Sequence, residues 1–454
     1  MLKKLTAALA AIALVLGLTN ILAGAQTPED PSPISPQPSV FPGGSVYYLN
    51  FKPEQAAQWE ETSKRFTQET GIPVTVLTAA SGTYEDTLRT EMEKTEPPTL
   101  FQVNGPTGLR TWRDWCLDLR GTALMENLTS DEFALYEGEE ALAVAYAIET
   151  YGLIYNRTLL EAYCAMDGAV ISNPAEITSF DTLKAVAEDI QQRAGELGVL
   201  GAFTSPGMDA SSDWRFKTHL ANLPIYYEYR QRGVDTSDEL TGAYLPNFQN
   251  IWDLYINNAT CAPGMIGART GEDAASEFAL GEAVFYQNGT WAYQDCISEG
   301  LTDADLGMLP IYIGAEGEAE QGLCTGSENY WCINRHAAPE DIEATKAFVE
   351  WLITSDEGRL ALSRDRSFIT PFSTFSDDAQ PSNALQAAAQ EYLNAGKTPV
   401  TWAFTTIPSD TWKNDLGAAM LEYAQGTGGW DAVESAFVDG WARESAAALQ
   451  PSQP

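Results

Sequence analysis

The chain has 454 residues, enough for two or three domains with substantial cores, and its 44% hydrophobic and 11% aromatic content excludes a mostly disordered chain. It carries 63 acidic against 26 basic residues, a formal charge of -37. Such a field repels nucleic acid, anionic lipid and polyanionic substrates, so none of these is an expected partner.

Residues 1–25 read as a signal peptide. Lys3-Lys4 form a positive start, residues 5–22 a mostly apolar run, and Ala23-Gly24-Ala25 a small-residue cleavage site. Leu22-Ala23-Gly24-Ala25 also resembles a bacterial lipobox whose cysteine is missing. The exported chain is therefore expected to be released, or anchored to the membrane surface by lipid if its natural sequence has the cysteine, or held by a retained anchor. Residues 26–44 contain Pro28, Pro31, Pro33, Pro36, Pro38 and Pro42 and read as an extended tether. No later stretch is long and apolar enough to span a membrane.

The folded part opens with a strand over 46–50. A helix begins at Pro53, with Ala56, Trp59 and Phe66 on one stripe, and ends at Gly71. A second strand covers 73–77. Thr83 and Asp86 form a capping box for a helix to about Lys94, and a third strand covers 99–103. Alternating strands and helices at this spacing predict a parallel sheet covered by helices on both faces. Ligands of such sheets sit beyond the carboxyl ends of the strands. Those ends carry Asn50-Phe51-Lys52, Ala80-Ser81-Gly82-Thr83-Tyr84 and Asn104-Gly105-Pro106, and none is a dinucleotide-binding glycine motif.

Residues 143–160 hold two readings open. Val144, Tyr146 and Ile148 alternate as a strand with one buried face, Glu149-Thr150-Tyr151 breaks the pattern, and Leu153-Ile154 resumes it before a helix start at Thr158. The stretch is either two ordinary strands with a loop or a chain passing between two lobes with its polar step facing the gap. Farther on, 198–203 reads as a strand after a helix over 180–193, a second β/α unit.

The six cysteines stand at 116, 164, 261, 296, 324 and 332, without a C-x-x-C pair, and the only histidines are His219 and His336. A structural zinc site is not expected. Cys324 and Cys332 are close in sequence, and an exported chain permits a disulfide between them; buried free thiols are the alternative. Gly396-Lys397-Thr398 lacks the earlier P-loop glycine, Glu391 standing in its place, so no nucleotide cofactor is implied. No G-x-S-x-G is present, and both histidines read as structural, His219 on a helix and His336 after a strand end.

The run LNFKPEQAAQWEETSKRFTQETGIPVTV resembles the opening of extracytoplasmic solute-binding proteins of ABC transporters, in the carbohydrate-binding group that includes maltose-binding proteins. PPTLFQVNG resembles that family's third strand and loop, and AYAIETYGLIYNRTLLE its first crossover. Phe278-Ala279-Leu280-Gly281-Glu282-Ala283 through Asn288-Gly289-Thr290-Trp291 resembles its F-x-x-G-x-A-x-x-x-x-G-x-W signature, and ATKAFVEWLITSDEG its late helix. The likeness runs in order over about residues 45–445.

The resemblance implies an α/β fold, a two-lobe periplasmic-binding-protein-like clamp, each lobe a mostly parallel sheet flanked by helices, with three hinge crossings, near 148–151, 327–331 and 371–375. Lobe one would be 45–149 and 330–372, lobe two 150–329 and 373–446. The implied function is a receptor that captures a carbohydrate, an oligosaccharide, by hinge closure and delivers it to an ABC transporter permease. The family default is a monomer. Sugar rings offer apolar faces to aromatic side chains and a hydroxyl equator to Asp, Glu, Asn and Lys. Trp291 matches the family's stacking tryptophan, Glu149 the crossover acid, and Asn104 and Lys52 loop positions of lobe one. Asp213 and Trp214 stand at a helix start typical of the cleft. Tyr151, and Tyr330 or Trp331 at the second crossing, could face the gap, and Trp412 matches a late aromatic. Each could instead be a core residue or a solvated charge. Trp402 and Trp59 read as packing. Phe51 and the Asn-Gly-Pro loop depart from the maltose-binding pattern and argue against maltose itself. Two other classes compete: an exported glycoside hydrolase, which needs two facing carboxylates, and a glycan-binding surface protein without a transporter.

Overall fold

The computed structural model describes residues 43–375 and 383–448. Its strands, in chain order, are β1 (Val46–Asn50), β2 (Val74–Thr78), β3 (Leu100–Asn104), β4 (Ala134–Glu137), β5 (Glu140–Ala145), β6 (Glu149–Asn156), β7 (Gly201–Phe203), β8 (Ala283–Gly289), β9 (Leu306–Leu309), β10 (Gln321–Gly326), β11 (Asn329–Ile333) and β12 (Thr398–Val400). They form two sheets, β2-β1-β3-β11-β5-β4 and β12-β10-β6-β8-β7, with β9 added against β6. The signal peptide and nearly all of the tether lie outside the described residues.

The first sheet is the one the opening alternation predicts. β1 pairs in parallel with β2 and β3, Tyr48 lying opposite both Val76 and Leu100. The helices Ala56–Thr70 and Tyr84–Met92 make the crossovers. Trp59, Thr62, Ser63 and Phe66 fall at one-face helical spacing and are buried against the sheet. Gly71 ends the first helix at φ 78, a conformation only glycine adopts cheaply. Trp59 meets Tyr48 edge-on at 4.9 Å, and Trp331 stacks on Tyr146 at 4.3 Å. Removing an indole from such a core costs about 3–5 kcal/mol. The sheet then departs from pure parallel order, because β11 returns antiparallel between β3 and β5.

The second sheet is built on β6, which is antiparallel to β8, β9 and β10. Its core gathers Tyr151, Trp252, Trp412 and Trp441, all buried. The structure therefore has the expected two α/β lobes, but neither sheet is mostly parallel, since β11, β5 and β4 in the first and β6 in the second pair antiparallel with their neighbours. The chain passes from the first sheet to the second between Ala145 and Glu149, and back between Gly326 and Asn329. At 371–375 it has not yet left lobe one, since Phe372 and Phe375 pack in that lobe's core. Leu385 already packs in lobe two, so the third change lies between Phe375 and Asn383 and includes residues outside the described set.

Four local expectations are corrected. Glu149-Thr150-Tyr151 is not a break but the start of β6; the irregular step is 146–148, where Tyr146 makes a last bond to Asn329 of β11 and Ile148 bridges to Ile369, outside either sheet. The Thr83 hydroxyl donates back to the Ala80 carbonyl, so no capping box forms, and the helix stops at Met92. The strand expected at 198–203 is only Gly201–Phe203, because Gly198 closes the preceding helical turn at φ 82. Cys324 and Cys332 lie on β10 and β11, in different lobes, and all six thiols are free. Cys332 shares its buried cluster with Cys116 instead.

Candidate ligand-binding cleft

Lobe one presents its strand ends. After β1 the Asn50 side chain folds the turn, donating to the Lys52 carbonyl at 2.8 Å and accepting from the Lys52 N–H at 3.1 Å. This turn aims Lys52 inward. Its Nζ lies 2.8 and 3.0 Å from the two oxygens of Glu149, the first residue of β6. Asn329 Nδ2 donates to the same carboxylate at 2.7 Å, and Glu54 stands 3.7 Å from the ammonium. Burial by itself would lower the lysine's pKa, but Glu149 and Glu54 override it and hold the ammonium up at about 12.

Lobe two presents a floor of rings. Trp291 follows Gly289, where an added Cβ would come within 2.2 Å of the indole; the glycine is what lets the ring fold over the end of β8. Gly326 does the same for Trp402, whose Cγ would lie 2.6 Å from a Cβ there. Trp214 and Trp291 are 6.1 Å apart, Tyr151 and Trp402 5.8 Å, and Trp402 and Phe404 5.1 Å between centroids. His219 sits among them. Asp213 pairs with Lys217 at 2.9 Å; burial raises its carboxyl, against the pull of that lysine. The two faces meet where Lys52 Nζ lies 6.0 Å from the Trp291 ring.

The lobes also touch at the ends of β2 and β3. Ser81 Oγ donates to the Ser211 carbonyl at 3.0 Å, and Thr107 Oγ1 to that of Thr405 at 3.1 Å. At the second crossing Glu328 has its carboxyl pushed up to about 7 by burial, with Lys413 and Lys52 opposing and Glu149 adding to the rise. A separate groove of about 730 Å³ lies at the other end of β6, beside Tyr155, Arg157 and Tyr392.

Of the residues singled out in the sequence, the structure brings Lys52, Glu149, Tyr151, Asp213, Trp214 and Trp291 to this region. Asn104 ends β3 opposite Asn329 and accepts from Gln102 Nε2 at 2.9 Å. Three lie elsewhere. Trp331 is fully buried under Tyr146 with its Nε1 donating to Tyr48, and Tyr330 packs among Phe101 and Val103 on the other face of the same strand. Trp412 is fully buried in lobe two, its Nε1 donating to the Phe437 carbonyl at 3.0 Å. These three fill cores because β11 and the helix Asp410–Gln425 are covered on the faces that carry them. Trp402, read as packing, is buried in the lobe-two core as expected; Phe404, packed against it, and Asn329, which donates to Glu149, were not singled out in the sequence. Glycine at 326 before Glu328 and Asn329 was the available signal, matching the glycine before Trp291. Among the described residues there is no cluster of metal-ligating side chains and no helix able to cross a membrane.

Two α/β lobes joined by crossing strands, with a charged pair bridging them beside a group of tilted aromatic rings, define a clamp-type binding protein. The chain belongs to the family of bacterial extracellular solute-binding proteins, whose model matches residues 61–390. Membership makes it an exported binding protein. No curated protein sequence matches the chain. Similar solved structures include RafE in complex with raffinose, at 17% identity, TM-score 0.67, covering 89% of this chain and 100% of that one. A chitin oligosaccharide binding protein is 15% identical with TM-score 0.70, covering 88% and 98%. Maltose-bound MalE3 of T. maritima is 17% identical with TM-score 0.63, covering 90% and 100%. At these identities the likeness shows the shared fold.

Proposed function

We propose that this protein captures a carbohydrate, an oligosaccharide, between its lobes and presents it to the permease of an ABC transporter. The observation that carries the reading is the group of rings in lobe two, Trp214, Trp291 and Trp402 around Tyr151 and His219, with Trp291 beside the Lys52–Glu149 pair that bridges the lobes. Aromatic faces suit the C–H faces of a pyranose, and carboxylate, amide and ammonium groups suit its hydroxyls. The similar structures named for raffinose, maltose and chitin oligosaccharide support the class. The protein is not an enzyme in this reading. Glu149 accepts from Lys52 and Asn329, and Asp213 pairs with Lys217, so each carboxylate is already engaged with a donor.

The lobes close on the ligand as a hinge, driven only by contacts better made in the closed state. It acts as a monomer, carried by the signal segment to the cell exterior and spaced from the membrane by the proline-rich tether.

A thermal-shift screen of the exported protein against raffinose, stachyose, maltose and N,N′-diacetylchitobiose, with amino acids and short peptides as controls, tests the function. A saturable shift with a sugar that stays intact on long incubation supports a receptor. Loss of the sugar contradicts the non-enzymatic reading, and a shift with a control alone contradicts the carbohydrate class.

A further inference from the structure

His219 stands in the middle of the ring floor, and its ring hydrogen-bonds to nothing. Both of its ring nitrogens lack a partner although the residue is only 5% exposed. Its imidazole lies 4.5 Å from Tyr151, 4.8 Å from Phe404, 5.0 Å from Trp214 and 5.6 Å from Trp291, centroid to centroid. Trp402, at 6.0 Å, contributes a third buried polar atom without a partner, its indole Nε1. Buried polar groups in folded proteins are almost always paired, so three orphans in one cluster call for an explanation.

The backbone here is also unusual. Arg215–Leu220 form a π-helix, in which the Ala221 N–H donates to the Phe216 carbonyl at 3.1 Å. Such wide turns are rare and concentrate at functional sites. The Tyr151 hydroxyl donates to the His219 carbonyl at 2.9 Å, so the main chain is pinned while the ring is left free. The ring is neutral: burial, then the charges of Lys52, Arg215 and Lys413, bring its pKa down to about 3. A neutral imidazole carries one N–H donor and one acceptor, and an indole only a donor. Of these cations Lys52 is paired with Glu149 and Lys413 with Asp410, while the buried Arg215 guanidinium keeps two nitrogens without a partner.

We infer that His219, with Trp402 Nε1 beside it, is the polar reader of the ring floor and binds a hydroxyl of the ligand. A hydroxyl donates to the ring's acceptor nitrogen and accepts from an N–H, the pair of bonds these atoms lack. The inference rests on the carbohydrate reading and adds to it the residue that checks for a hydroxyl.

Calorimetric titration with raffinose, stachyose, maltose and N,N′-diacetylchitobiose, using the full exported protein, selects the best sugar. That sugar is then titrated into His219→Phe and His219→Gln. Phenylalanine fills the space without unpaired polar atoms, so the ligand-free melting temperature should stay or rise while Kd weakens about tenfold. Glutamine keeps a donor and an acceptor and should recover part of the affinity. A His219→Phe protein that binds as tightly as the parent, or a glutamine variant no better than phenylalanine, overturns the inference and leaves the carbohydrate reading standing. If His219→Phe does not fold, Trp402→Phe decides: about tenfold weaker binding supports the role, unchanged binding overturns it. No binding by any of the four sugars overturns the carbohydrate reading and this inference with it.

Discussion

Lys52 and Glu149 are 97 residues apart in the chain and meet as a buried ion pair at 2.8 Å, one at the end of β1 in lobe one, the other opening β6 in lobe two. The pair therefore fastens the lobe-one loop to the first residue past the crossing. Breaking a buried pair leaves a charge without its partner, at a cost of about 3–5 kcal/mol. Lys52→Met should destabilise by that order, and adding Glu149→Leu should recover part of it. Denaturant unfolding of the single and double variants measures this; costs that simply add would deny the coupling. The lysine's folded pKa, about 12, lies above its ordinary 10.5, so its stabilisation is complete below pH 10.5 and lost as the pH climbs through about 12. The coupling should therefore be the same at pH 6 and pH 8.

Trp291 is half-buried beside Trp214 and His219, with Lys52 over its face. Trp291→Ala should cost about 1–3 kcal/mol of sugar binding, ten- to a hundredfold in Kd. Titration of the folded variant checks it. Unchanged affinity would assign the ring to packing.

Glu328 carries a folded-state pKa of about 7 against an ordinary 4.5. Between those values the native chain keeps a proton that the unfolded chain releases, so each step up in pH lowers stability, by at most about 1.4 kcal/mol per unit. Glu328→Gln should thus raise the melting temperature at pH 8 and change it little at pH 4.5. An equal gain at both pH values would mean the carboxyl is not held protonated.

Gly105 opens the helix after β3 at φ 66, and a Cβ there would stand 2.9 Å from Thr405 Cβ on the other lobe. Gly105→Ala should cost about 1–2 kcal/mol from the left-handed backbone. It should also weaken ligand binding further, since the clash belongs to the lobe–lobe contact. Affinity equal to the parent's, with only the melting temperature lowered, would leave the strain but remove the contact from the binding argument.

The opening β/α alternation was legible because strand and helix periods there are set by local burial: Trp59 and Phe66 on one helix stripe, Val74 and Val76 in the strand. The two-lobe layout was legible from the ordered motifs. What escaped depends on long-range pairing. That Trp331 and Trp412 are core residues follows from which faces of β11 and of the helix Asp410–Gln425 are covered, while Trp402 packs as read, over a glycine at 326 that leaves room for its ring. That coverage is not visible in local sequence. The Cys324–Cys332 expectation failed for the same reason: eight positions along the chain carry it across the crossing into another lobe.

The most direct test of carbohydrate capture in this cleft is a crystal structure of the protein grown with the best-binding sugar. The account predicts a pyranose ring stacked on Trp291, with hydroxyls reaching Lys52 and Glu149 across the lobe boundary. A sugar bound instead in the groove beside Tyr155 and Tyr392, with the ring floor vacant, would contradict it.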